Sequence, residues 1–505
     1  MAQKQFRLSL TDAQFPLLSE QQGRTVMGAT SEEMYAKDNK PGLFYCHNVM
    51  PTKRGLDSIG YKSLLPSASS SYPLLDVRVA YSTERKRVHL AWNSYGEVYA
   101  LEKASSEWTK LAPTSPSTLS ATFSPESVTI GRVNGISYIF YSGIGAFTYN
   151  SSAGTLDSVS LTGLDASTVL GVVASSGYLI AYTEAAIAWS STLDPTDFAP
   201  SQVTGAGGGN VAGIGGSILF CTVNSLGILI YTETNTVAAT YTGNTQYPFK
   251  FRPVDNSKGG VSLDLTAYEA NTAAQFVYTT GGLQSVTSQT ASIILPEVTD
   301  FLAGSLFEDF SEETESLVQT ELSTTLLKKM KFISSRYLII SYGISSFTHA
   351  LVYDAALERL GKLKVEHTDV FEYVGDLVAQ IEVSKENIAF LSADGSVTLL
   401  DFSTQESNTS AGVAYIGKLQ FTKSSMITLL NVELENIRAA ASLKVVDLYS
   451  LDGKNTSKRS SNATYISGLL RRYPFLTTAT NHTLQLQGQF NLTSALITYK
   501  LAGSR

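Results

Sequence analysis

The sequence predicts an all-β fold: a β-propeller carrying a short helical insertion, plus a smaller terminal β platform domain. Three observations carry this. Only 16% of the 505 residues are charged, while 26 Tyr and 22 Phe supply much of the apolar mass. A chain poor in charge and rich in aromatic side chains suits pleated surfaces better than helices. A unit of turn, short aromatic-bearing strand, polar turn and further strand recurs, as in GEVYALEKASSEWTKL (96–111), GAFTYNSSAGTLDSVSL (145–161) and GILIYTETNTVAATYTG (227–243). Its markers, Tyr99, Tyr149, Trp189, Tyr231, Tyr278, Tyr353 and Phe402, mostly lie about 40–50 residues apart, the period of propeller blades.

Residues 1–65 are turn-rich and are expected to join the platform or to close the ring. The propeller is expected over 66–410, with about six or seven blades. A strand precedes many markers, for example KRVHLAW (86–92), ISYIFYS (136–142), SILFCTV (217–223) and RYLIISYG (336–343), so each pair reads as the middle hairpin of a blade. One blade cannot bury both faces alone; blades stack radially until the ring closes. The long gap between Tyr278 and Tyr353 holds an insertion at about 296–330. There Phe301, Leu306, Phe307 and Phe310 recur at helical spacing, and Leu317 continues the stripe after an N-cap at Ser311. This predicts one or two short helices, with Phe301, Leu306, Phe307, Phe310 and Leu317 as candidate subunit-interface side chains. Residues 411–505 alternate cleanly, with Asp452-Gly453 as a hairpin turn, and predict the platform domain.

The net charge of −7 argues against a surface made to grip nucleic-acid phosphates. Cys46 and Cys221 stand far apart without a CxxC partner, which fits a reducing cytosol. The start, MAQKQFRLSL, lacks the apolar run of a signal peptide. The apolar stretch 168–189 is broken by Ser175, Ser176, Gly177 and Glu184, so it reads as two strands and not as a membrane span. The glycine cluster 204–210 lacks the Lys-Ser/Thr of a phosphate loop and reads as a turn. His47, His89, His349, His367 and His482 do not pair at metal-ligand spacing. Asp194, Asp197, Asp354, Asp394 and Asp401 fall near turns, where Asp caps backbone N–H groups. No catalytic, cofactor-binding or metal residue is predicted, and the expectation is a protein that is not an enzyme.

Three segments carry a family resemblance. They are NVMPTKRGLDSIGY (48–61), AIAWSSTLDPTDFAPS (186–201), and KKMKFISSRYLIISYG (328–343) followed by HALVYDAALERLGKL (349–363), with Leu351, Val352, Tyr353, Asp354 and Ala355 as its LVYDA element. In this order, around an inserted segment, they resemble the tail nozzle, or tail hub, proteins of short-tailed bacteriophages. The resemblance implies a homohexameric ring below the portal and adaptor, in a virion assembled in the host bacterial cytoplasm. Its lumen would hold the packaged genome and release it on infection, with tail fibres or tailspikes attached nearby. No catalytic residues come with it. Six copies would carry a formal charge of about −42, so genomic DNA would pass without tight binding. The rival expectation is a carbohydrate-binding or glycan-cleaving propeller.

Overall fold

The computed structural model describes residues 4–9, 43–53, 55–65, 67, 72–115, 119, 124, 127–245, 247–303, 306–311, 313–321, 326–375, 387–401, 412–419, 426–436, 443–451, 456–461, 464–467 and 470–502. Short alternating segments form strands, and turn residues fix how they pair. Val128–Val133 and Ile136–Tyr141 are joined by Asn134 and Gly135, both at positive φ (52° and 84°). That two-residue turn has the twist of the strands it links, and Asn-Gly supplies it at least cost.

Among the described residues, six such units follow one another at 74–110, 112–159, 171–210, 218–253, 266–293 and 327–367, here blades one to six; all their pairings are antiparallel except that of Ala112–Pro113 with Thr155–Val159, which is parallel. The seventh unit joins Asp369–Glu372, Ile388–Leu391 and Val397–Asp401 to Gly60–Leu65, a strand from near the start of the chain. An apolar cluster fills each junction between neighbouring blades, including the junction of blade seven with blade one. Two tryptophans tie blade one to both of its neighbours. Trp92 of blade one donates its indole N–H to Tyr141 Oη of blade two at 2.7 Å, and Trp108 donates to the Gly395 carbonyl of blade seven at 3.0 Å. The fold is a seven-bladed β-propeller.

The six described aromatic markers fall one to a blade, but not on one strand position. Tyr99, Tyr149, Trp189 and Tyr353 lie on third strands, whereas Tyr231 and Tyr278 lie on second strands. SILFCTV is therefore a first strand, Ile218–Asn224, and not a middle one. Phe402 and the Asp452-Gly453 turn lie outside the described residues.

The chain ends build a further pair of sheets. The last strand of blade six pairs through Lys362 with Val49 of Val49–Thr52. The sheet then continues through Gly55–Ser58, Asn491–Leu501, Ile427–Asn436 and Leu470–Ala479 to Thr464–Ser467, with Lys4–Ser9 also on Asn491–Leu501. A five-stranded sheet, ordered Leu43–His47, Gly412–Leu419, Asn481–Gly488, Lys444–Ser450 and Ser457–Ser461, faces it. Ala414, Val445, Leu484 and Leu486 of the one share a core with Val432, Tyr473, Phe475 and Ile497 of the other.

The insertion between blades five and six corrects the sequence reading. Pro296–Ala303 is a helix, with Val298 and Leu302 buried. Leu306–Ser311 and Ser316–Glu321 are instead an antiparallel hairpin, pairing Phe310 with Leu317. The helical reading failed because Leu306 and Phe310 are four residues apart, a spacing that shares a face in strand and helix alike. Ser311 caps a turn: its hydroxyl accepts the Thr314 N–H at 3.3 Å.

Candidate functional site

The first strands of the blades lie innermost, and those of blades one, six and seven bring their charges together. Lys329 and Lys331 are two apart on Leu327–Ile333, as are Asp76 and Arg78 on Leu74–Tyr81, so each pair shares a face. Lys329 Nζ reaches Asp76 Oδ1 at 2.8 Å and Asp369 Oδ1 at 3.0 Å. Lys331 Nζ lies 3.4 and 3.3 Å from the same two carboxylates. Arg78 Nε contacts Asp76 at 2.6 Å, and its guanidinium also donates to the Val128 carbonyl of blade two. The Val77 N–H donates to Asp369 Oδ2 at 2.7 Å.

The cluster is dry. Asp76, Asp369 and Lys329 are buried, so each charge depends on its partners for what water would otherwise supply. Burial pushes the Asp76 carboxyl up, but Arg78, Lys329 and Lys331 outweigh it and hold the group well below the usual range. Asp369 goes the other way: burial raises it against the pull of the two lysines, and nearby Asp76 adds to the rise. Burial works against the charged form of Lys329, yet Asp369 and Asp76 raise its pKa. Asp264 beside blade five also acts on Lys329 and Arg78, so the centre is close to charge-balanced. It can lock blades together; it offers no unpaired charge to a ligand.

The residues singled out from sequence sit elsewhere. Phe301 on the helix packs edge-on against Tyr342, ring centres 5.4 Å apart, and Phe310 is buried among Tyr45, Val413 and Tyr415. In the single chain both pack against residues of that chain. Leu306, Phe307 and Leu317 lie on the hairpin strands. Asp194, Asp197, Asp354 and Asp394 each accept backbone N–H groups in turns, and Asp354 also pairs with Arg336 at 2.6 Å. Among the described residues no group of His, Cys, Asp and Glu could hold a metal, and no helix is long and apolar enough to cross a membrane. His482 pairs with Asp447 at 3.0 Å between the terminal sheets, both fully buried. Sequence reasoning missed the central cluster. Its signal was there in Lys329-Met330-Lys331 and Asp76-Val77-Arg78, charges two apart on short strands, although Lys328 blurs the alternation in the first.

No family model and no curated protein matches the chain. Among solved structures, it is similar to the WD40 β-propeller domain of Doa1, at 10% identity and a TM-score of 0.34, covering 68% of this chain and 98% of that one. It is also similar to the extracellular domain of a hybrid two-component system of B. thetaiotaomicron, at 12% identity and a TM-score of 0.40, covering 71% of this chain and 47% of that one. Likenesses at this level decide nothing. The propeller rests on its own strand pairing and junction cores.

Proposed function

We propose that this chain is a structural subunit of a short-tailed bacteriophage tail nozzle. Six copies would form a ring that continues the DNA channel below the portal and adaptor, retains the packaged genome and lets it leave on infection. The observation that carries this reading is where the resembling segments fall. The insertion interrupts the propeller between blades five and six, directly before 328–363, while Val49–Thr52 and Gly55–Ser58 of the 48–61 segment and the C-terminal strands lie outside the ring in the further pair of sheets. In this reading the charged centre of each propeller fastens blades, and DNA runs between copies instead of through any one of them. The acidic surface then repels phosphates enough to let them slide.

Native mass measurement and electron-microscopy class averages, with and without the adaptor ring, test the proposal. Six-fold rings that bind the adaptor are the expected result. A stable monomer that cleaves glycans would overturn it in favour of the carbohydrate-active propeller.

A further inference from the structure

We propose that, in the assembled ring, the hairpin 306–321 seats on the five-stranded sheet of a neighbouring copy, so that the outer face of this sheet is a subunit interface. The inference rests on the ring reading above. Directly opposed residues of a sheet share a face. The pairing therefore puts Tyr45, Tyr415, Gln485 and Val446 in one row, and His47, Val413, Gln487 and Lys444 in the next. This face turns away from the core that Ala414, Val445, Leu484 and Leu486 share with the opposite sheet.

The hairpin crosses that face from its first strand to its last. At one end Phe310 fills the space among Tyr45, Val413 and Tyr415, and its backbone N–H donates to Tyr45 Oη at 2.8 Å. At the other, Lys444 Nζ binds both Glu315 carboxylate oxygens at 2.7 and 2.8 Å, and Lys458 donates to the Thr314 and Glu315 carbonyls at 2.9 and 3.0 Å. Glu315 holds a φ of 46°, where Gly or Asn would cost less, so the strained position keeps the side chain that makes this bridge.

Two features suit the hairpin to exchange. Among the described residues its strands pair only with each other, and a lone two-stranded hairpin is marginal in water. Its stability therefore comes from the face it lies on. That face is built by the chain ends; of the blades flanking the insertion, blade six also reaches the hairpin, through Lys364 Nζ, which donates to the Phe310 carbonyl at 3.4 Å. Every copy carries the same hairpin and the same face, so seating in trans keeps each contact while tying one subunit to the next.

The test uses the unmodified chain. Equal amounts of ordinary and nitrogen-15-labelled protein are mixed before assembly and treated with a carbodiimide, which joins a carboxylate to an amine in contact with it. Peptides linking Glu315 to Lys444 are then weighed. About half of these links should join one labelled and one unlabelled peptide if neighbours exchange hairpins at random. Rings whose Glu315–Lys444 links all carry a single label would overturn the exchange and leave the ring reading standing. A chain that native mass shows never to assemble would overturn both.

Discussion

At the scale of single residues, Lys329 answers two buried carboxylates at once. Removing one partner of a buried charge set leaves the others uncompensated. Lys329→Ala is therefore expected to cost about 3–5 kcal/mol, read as a lower urea midpoint, with Lys331→Ala, a more exposed side chain, costing less. His89 and His367 set a pH dependence. Burial pushes each down to about 4, so both are neutral when folded at pH 7. In the unfolded chain they take up protons near pH 6.5, so the unfolded state binds more protons and stability falls as pH drops from 6.5 towards 4. The expected slope is about 1.4 kcal/mol per pH unit per histidine, checked by denaturant titrations across that window. Asp369, with its raised pKa, opposes this loss at the acid end. None of these couplings was legible in the sequence. Lys329 and Asp76 stand 253 positions apart, and only ring closure brings them together.

At the scale of elements, the sequence showed strands where alternation was clean and misled where one spacing fits two structures. The paired strands of blades one to three and six were readable because each alternates and ends at a Gly or polar turn. The assignment slipped by one strand in blades four and five, because an aromatic marks a buried position and not a strand's rank in its blade. Phe310 pointed to a helix for the same reason that it fits a strand. The two turn-flanked strands Val49–Thr52 and Gly55–Ser58 depend on Gly55, which has a φ of 137° and would drive a Cβ to within 1.8 Å of the Leu492 carbonyl oxygen. Gly55→Ala is expected to cost more than about 1 kcal/mol, because it adds strain to an already occupied space. Faster amide exchange in Gly55–Ser58 and Asn491–Leu501, with the far blades unchanged, would be its signature.

At the scale of the molecule, the ring was legible and its fastening was not. Repeats announce blades, but nothing local says whether residues 1–65 join the platform or close the ring. Gly60–Leu65 is the outermost strand of blade seven and pairs with Val397–Asp401. A chain lacking residues 1–65 leaves that edge open and removes strands from both terminal sheets. It is expected to aggregate or to lose its single cooperative melting transition, as gel filtration and circular dichroism would show. An intact, monomeric, cooperatively folding truncation would contradict this account of the closure.

The same closure has a consequence in time. Leu65 leaves the ribosome about 330 residues before its partner Val397, a wait of roughly 20–60 s at ~5–20 residues per second. For that interval Gly60–Leu65 has no strand of blade seven to join, and blade one leaves bare the face that blade seven will cover. The nascent chain must outlast a long period of exposed strand edges, so its yield should rise with slower crowding, lower temperature or a holding chaperone more than with any gain in final stability.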